Sequence, residues 1–132
     1  MTEQEYLEDT IKYYSKNPNK LRCEYSGTCT YSSGEKGVVG CAIGRKLTKK
    51  NREYFDRQYI NGIAIEDILD VDSDKKLLPV WMRNMSGTFL INLQGLHDSE
   101  RYWNDGEGLS IHGKGYVKYR FSHLKLEFLH NY

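Results

Sequence analysis

Residues 27–47 constrain the fold more than any other stretch, because two β-prone runs flank a polar turn there. The first run is residues 28–31, the turn is residues 32–37, and the second run begins at Val38. This order is typical of a β-hairpin whose loop is longer than two residues. Beyond the second run, the sequence Cys-Ala-Ile-Gly-Arg-Lys-Leu is small and apolar with a basic end. We therefore expect the hairpin to lead into a helix whose first turn carries Cys41.

Capping signals and apolar periodicity predict a helix at each of two places. Thr2 and Glu5 have the spacing of a capping box, and an apolar stripe at helical intervals follows before Pro18 stops the helix. That stripe consists of Leu7, Ile11 and Tyr14. Ser86 caps the second helix, which we expect to be central because its stripe is the most regular in the chain. The second stripe consists of Phe89, Leu90, Leu93, Leu96 and His97.

The last segment, residues 111–130, is compatible with two structures. Apolar residues recur at spacings of four, three and four after Ser110, which fits a capped helix. Apolar and charged residues also alternate within residues 117–128, which fits a hairpin. We favour the helix, because its stripe continues unbroken through Ser122 and His123.

These signals together predict the α+β fold class. Residues 21–25 alternate apolar and charged side chains, which fits one further strand beside the hairpin. A length of 132 residues suits one domain with its own core. We therefore predict a single domain over residues 1–132, mainly helical, with a small antiparallel β-hairpin or three-stranded sheet.

The charge balance and the cysteine count restrict the function and the compartment. Nineteen basic side chains against eighteen acidic ones give a net charge of +1, too little for strong non-specific binding of nucleic acid or adsorption to a membrane. No apolar run approaches the roughly 20 residues of a membrane-spanning helix. Three cysteines cannot all pair within one chain, and the first residues do not resemble a signal peptide. We expect an intracellular protein with reduced thiols.

Polar and aromatic residues concentrate after the second predicted helix, beyond what core packing requires. The candidate ligand-binding residues are Tyr31, Arg45, His97, Asp98, Tyr102, Trp103, Asn104 and Asp105. Arg45 offers a planar cationic fork, the aromatic residues offer stacking faces, and the others offer directional hydrogen bonds. Such groups suit a nucleotide-like ligand or a charged patch on a protein partner. The favoured interpretation is a binding module that needs no cofactor, and homo-oligomerisation stays open.

Three other interpretations compete with a binding module. Cys41 as nucleophile, His97 as base and Asp98 or Asn104 as orienting group would make a cysteine-dependent hydrolase. A structural metal site from the cysteines and one histidine is disfavoured, because gaps of five and eleven residues do not match zinc-ligand pairs. The cysteines are Cys23, Cys29 and Cys41. Each polar residue taken singly also fits an ordinary structural place, and only their clustering indicates a site.

Five short motifs are spread along almost the whole chain. They are Gly27-x-Cys29-x-Tyr31, Cys41-Ala-Ile-Gly44-Arg45, Leu96-His97-Asp98, Tyr102-Trp103 and Gly108-Leu109-Ser110. This pattern resembles a group of small, mostly uncharacterised bacteriophage and prophage proteins. The resemblance implies a phage accessory role in the host cytoplasm and a compact α+β fold, and it transfers no activity or catalytic residues. Because small non-structural phage proteins often bind host defence proteins or their nucleotide signals, we expect an antagonist that works by binding.

Overall fold

The computed structural model describes residues 1–16, 42–58 and 65–132, and about 68% of these residues are helical. No β-strand or sheet occurs among them, and the nearest feature is a single antiparallel bridge between Trp103 and Leu109. The predicted α+β class is therefore wrong for the described chain, which is mainly helical. The predicted hairpin around residues 28–39 and the strand at residues 21–25 lie outside the described residues.

The first helix, α1, spans Glu3–Ser15 and confirms the prediction from its capping box. The Thr2 side chain accepts a hydrogen bond from the Glu5 amide, and the Glu5 side chain accepts one from the Thr2 amide. These reciprocal bonds satisfy two amide groups that a helix start otherwise leaves unpaired. The buried side of α1 includes the predicted stripe Leu7, Ile11 and Tyr14 together with Tyr6.

The helix expected after the hairpin is only a short 3₁₀ helix, Gly44–Lys46. Leu47 is extended, with φ −90° and ψ 160°, and this ends the turn before α2 begins. Ala42 and Ile43 just before the turn are fully buried. The segment therefore anchors in the core through its apolar half, and its basic half, Arg45 and Lys46, projects toward α1.

Four helices follow in the middle of the described chain, and three of them are very short. They are α2 (Lys49–Gln58), α3 (Ile65–Leu69), α4 (Asp72–Lys75) and α5 (Val80–Arg83). The buried apolar residues of this part of the chain lie in or between these helices: Phe55, Ile65, Ile68, Leu78 and Met82. Helices of four or five residues have little stability of their own, so these depend on burial in the common core.

The central helix, α6, spans Gly87–Asp98, as its stripe predicts. The Ser86 hydroxyl accepts a hydrogen bond from the Phe89 amide, which fixes the start of the helix. All five residues of the predicted stripe are buried. Helices α3 and α7 and the 3₁₀ helix Glu100–Tyr102 all pack against α6, so this helix forms the middle of the core.

The last segment is α-helical in its first half only. Helix α7 spans Ile111–Arg120 and begins where Ser110 accepts a hydrogen bond from the Gly113 amide. It ends because Phe121 leaves helical geometry, at φ −120° and ψ 31°, while its ring stays buried. A turn and a 3₁₀ helix, Glu127–Asn131, complete the chain. The helical preference for residues 111–130 is thus correct up to Arg120 and wrong beyond it.

Within residues 1–16, 42–58 and 65–132, no helix has both the length and the apolar character that crossing a membrane requires.

Candidate functional site

Three of the predicted site residues converge on the ring of Tyr14, a buried residue of α1. The His97 ring lies 4.8 Å from the Tyr14 ring, centroid to centroid, and the Trp103 ring lies 6.0 Å from it. The guanidinium carbon of Arg45 lies 5.8 Å from the same ring centroid. The structure therefore brings Arg45, His97 and Trp103 together around one aromatic core residue.

The two predicted stacking faces are used within the fold. Trp103 is 5% exposed, and its indole N–H donates a 2.9 Å hydrogen bond to the Leu96 carbonyl. The Tyr102 ring stacks on the Tyr116 ring with centroids 4.4 Å apart. A buried tryptophan whose polar group is satisfied is typical of a core position. Both aromatic rings are therefore already packed against other residues of the fold.

His97 and Asp98 form a pair at the end of α6. The buried Nδ1 atom of His97 lies 2.9 Å from Asp98 Oδ1, and the same oxygen accepts a hydrogen bond from the Gln94 amide group. Asp98 is about half exposed. The pair fixes the imidazole ring, which is what an orienting carboxylate does in a catalytic constellation. Cys41, the nucleophile of the hydrolase alternative, and Tyr31 both lie outside the described residues.

Asn104 stabilises the loop that follows Trp103. Its side-chain amide donates hydrogen bonds to the carbonyl oxygens of Glu107 and Leu109, at 3.2 and 3.0 Å. Gly108 completes the turn at a φ of +80°, a conformation that favours glycine, and its amide donates to the Ser15 carbonyl of α1. The loop is thereby tied to the end of α1, and Asp105 lies on its exposed side.

Arg45 forms an ion pair with Asp9. Arg45 Nη2 lies 2.6 Å from Asp9 Oδ2, and Lys46 Nζ lies 2.7 Å from the same oxygen. The guanidinium group also stacks over the Tyr13 ring, 4.4 Å from its centroid, in cation–π geometry. Nη2 is the one guanidinium atom of Arg45 that bonds to an acceptor among the described residues.

The Asp9 carboxylate carries a pKa below its ordinary value. Burial of this group raises the pKa, but the hydrogen bonds and charges of Lys46 and Arg45 lower it and outweigh burial. Because the folded-state pKa is the lower one, this carboxylate stabilises the folded protein fully above about pH 4, its unfolded value. The stabilisation is lost as the pH falls through the folded-state pKa.

We expect Asp9→Asn to lower the free energy of unfolding by about 0.5–1.5 kcal/mol at pH 7, because two cations lose their carboxylate at a partly buried position. Urea titrations of the wild-type protein and the variant, at pH 7 and at several pH values below 4, measure this difference in the free energy of unfolding. The difference between the two proteins should shrink toward zero in acid, where Asp9 is protonated. A difference that stays constant across that range would contradict the assigned role.

The Arg45 contact belongs to a larger basic surface along α1. Asp9, Lys12 and Lys16 follow one another at spacings of three and four residues, so they share one side of the helix. Together with Arg45 and Lys46, which contact Asp9, they form what we name the cationic face. Arg45 and Lys46 both contact the Asp9 carboxylate, and the two lysines of α1 continue the same side of the helix.

The cationic face borders two cavities that share one wall. A cavity of about 350 Å³ is lined by Lys12 and by the carboxylates of Glu5, Glu8 and Asp9. A second cavity, of about 410 Å³, is lined by Lys12, Lys16 and Glu107. Asn131 and Tyr132 line both. Both cavities therefore lie beside α1 and the end of the last 3₁₀ helix.

Sequence reasoning missed most of the cationic face. It selected Arg45 but not Asp9, Lys12, Tyr13 or Lys16. The sequence contained one signal, which is the pair of lysines four residues apart on α1. Like charges at this spacing repel each other, so the pair draws attention to that side of the helix. The contact between Asp9 and Arg45 joins residues far apart in sequence, and no local pattern indicates it.

A metal centre is not formed by the residues that the structure describes. No group of three or more histidine, cysteine, aspartate or glutamate side chains is arranged there to hold a metal ion. Cys23, Cys29 and Cys41 lie outside those residues. The expectation that the fold needs no metal stays a prediction.

Comparisons of the chain with protein-family models, curated proteins and solved structures found no significant match.

Proposed function

We propose that this protein acts stoichiometrically by binding, as a phage accessory protein that antagonises a host defence system in the host cytoplasm. It does so by sequestering a nucleotide-like signal or by occupying a protein partner. The resemblance to phage and prophage proteins supplies the biological context. The cationic face is the observation that carries the binding function.

The charge distribution of the cationic face supports an anionic ligand. The chain as a whole is almost neutral, at +1, yet Arg45 and Lys46 share the single carboxylate of Asp9, and two lysines follow on the same side of α1. Stacking on Tyr13 holds the guanidinium plane of Arg45, and preorganised arginine forks bind phosphate and carboxylate oxygens in pairs. A local excess of charge on a neutral protein favours a specific ligand over non-specific adsorption.

In this proposal, several of the predicted residues have roles that differ from those expected from the sequence. Arg45 keeps its role as the cationic fork. Trp103 and His97 position it indirectly, because all three pack on Tyr14. Tyr102 is already stacked on Tyr116 and contributes rigidity.

We expect Arg45→Lys to weaken nucleotide retention at least about tenfold. Lysine preserves the charge beside Asp9 but loses the planar fork and its stacking on Tyr13, and contacts of this kind contribute about 1.5–3 kcal/mol. The protein is incubated with cyclic and linear nucleotides in excess, desalted, denatured, and the released compounds are quantified. Lys50→Ala, an exposed change on α2, is the control and should retain the wild-type amount.

The same experiment separates binding from catalysis. Intact nucleotide at a fixed ratio to protein supports the proposal. Chemically altered nucleotide in multiple-turnover yield, abolished by Cys41→Ser or His97→Ala, would replace it with the cysteine-dependent hydrolase.

A protein partner is the second candidate, and the outer side of α7 favours it. Ile111 is 89% exposed and Tyr119 is 77% exposed, and the two lie eight positions apart along the helix. Gly115 lies midway, with nothing within 4 Å of the position that a Cβ atom would take. Helix α7 has no acidic residue, so a partner surface with carboxylates around an apolar centre would complement it. Absence of any retained nucleotide would make this the leading function.

A further inference from the structure

Charges of opposite sign are segregated on this chain, although its net charge is only +1. Residues 66–74 contain five carboxylates and no lysine or arginine, whereas residues 108–126 contain four lysines or arginines and no carboxylate. The first stretch runs through α3 and α4, and the second includes all of α7. Like charges repel each other within each stretch, and a surface of the opposite sign docked on it would relieve that repulsion.

The outer side of α7 combines exposed apolar groups with lysines. Ile111, Gly115 and Tyr119 follow one another at intervals of four residues, so they lie on the same side of the helix. Ile111 and Tyr119 are more than three-quarters exposed, and nothing lies within 4 Å of the Cβ position of Gly115 between them. Lys114 and Lys118 flank this row, and neither forms an ion pair with a residue that the structure describes. We name these five residues the α7 surface.

A second charged surface lies where α3 ends and α4 begins. Val71 is 40% exposed there, and the exposed residues Asp70 and Asp72 precede and follow it. Glu66 is exposed one turn earlier, on α3. None of these three carboxylates forms an ion pair within residues 1–16, 42–58 and 65–132. Val71 and the three carboxylates make up what we name the acidic surface, which has an apolar residue among its charges, as the α7 surface does.

Within one chain, the two surfaces belong to different parts of the central helix α6. The Leu69 side chain of α3 lies 3.5 Å from the Cβ position of Gly87, the first residue of α6. The Tyr116 hydroxyl of α7 donates a 2.8 Å hydrogen bond to the Asn92 carbonyl, in the middle of the same helix. Among the described residues, no ion pair joins one surface to the other. Their charges are therefore available to a second molecule.

We propose that a second copy of this chain docks its acidic surface on the α7 surface. Ile111 and Tyr119 of one copy pack on Val71 of the other, and lysines meet carboxylates around this contact. An apolar centre with a charged rim is typical of protein–protein interfaces. This self-association goes beyond the proposed binding function and does not depend on any nucleotide.

The charges determine how the two copies can pair. Two α7 surfaces would place lysines against lysines, and two acidic surfaces would place carboxylates against carboxylates, and both arrangements are repulsive. The contact therefore joins unlike surfaces and is heterologous. A heterologous pair leaves one surface unused at each end, so further copies add until a ring closes or a filament forms.

Sedimentation equilibrium of the full chain tests the self-association. The average mass of the wild-type protein should rise above that of one chain over about 1–100 μM, and less so as salt is added. Tyr119→Ala and Lys118→Glu should each weaken association at least about tenfold, because one removes an apolar contact and the other places like charges together. The Lys50→Ala control should associate as the wild-type protein does. A wild-type protein that stays monomeric throughout, or a Lys118→Glu variant that associates as tightly, would overturn the proposal.

Mixing two variants tests whether the contact joins unlike surfaces. Lys114→Glu/Lys118→Glu loses the α7 surface and keeps the acidic surface, and Asp70→Asn/Asp72→Asn does the reverse. Each variant alone should be monomeric, whereas an equimolar mixture should form pairs that stop at two chains, because one intact surface of each kind remains. Melting temperatures check that both variants fold, and Glu66→Lys on the exposed side of α3 replaces the aspartate variant if that one melts early. A mixture of folded variants that stays monomeric would overturn the proposal.

Discussion

Gly113→Ala is expected to lower the free energy of unfolding by about 2–3 kcal/mol. A Cβ atom on Gly113 would overlap the backbone carbonyl of Tyr102, and the Leu109 side chain lies 3.1 Å from the same position. A backbone group cannot rotate away as a side chain can, so α7 would have to move off the 3₁₀ helix Glu100–Tyr102. This cost exceeds the gain of about 1 kcal/mol that alanine brings over glycine within a helix. Denaturant titration measures the result.

Gly115→Ala is the matched control in the same helix. Nothing lies within 4 Å of its Cβ position, so only the helix propensity changes and we expect a gain of about 0.5–1 kcal/mol. The two substitutions are chemically identical and two residues apart, yet they should have opposite signs. Equal effects would mean that α7 does not approach Tyr102 as described.

Leu93→Ala is expected to lower the free energy of unfolding by about 2–5 kcal/mol. Leu93 is fully buried in the middle of α6, where helices α3 and α7 pack against it, so truncation leaves a cavity that its neighbours fill only in part. Lys50→Ala, at an exposed position of α2, should change the same quantity by less than about 0.5 kcal/mol. Similar losses in the two variants would show that the core has been misplaced.

The parts of the fold that could be predicted are those that local rules determine. The capping box of Thr2 and Glu5 and the cap at Ser86 involve residues three positions apart, and the buried stripe of α6 repeats within one helix. Such features depend on neighbouring residues alone. They identified the starts and buried sides of α1 and α6 correctly.

The parts that could not be predicted depend on contacts between distant segments. Alternation and helical spacing coexist in residues 111–130, and the burial of Phe121 ends α7 where the stripe alone would continue it. Trp103 offered a stacking face in sequence, but its indole N–H bonds to the Leu96 carbonyl inside the core. The hairpin composition predicted a sheet that the described residues do not contain.

The candidate site, like the fold, has features that the sequence predicts and features that depend on contacts between distant residues. Sequence reasoning selected Arg45 for the chemistry of its side chain, and this residue does belong to a basic cluster. Its partner Asp9 is 36 residues away, and Tyr14, on which Arg45, His97 and Trp103 converge, was recognised only as a core residue. The residue types indicate which chemical groups the chain carries, but only the fold shows which of these groups lie close together.

Native mass spectrometry of the purified protein, before and after mild denaturation, tests the central claim of stoichiometric binding most directly. With the nucleotide mixture present in excess, the wild-type protein should carry a whole number of intact nucleotides per chain and release them unchanged on denaturation. The Arg45→Lys variant should carry much less nucleotide under the same conditions, in line with its retention being weaker by at least about tenfold. A wild-type protein that shows only its bare mass, or that releases a chemically altered nucleotide, would contradict sequestration of a nucleotide-like ligand.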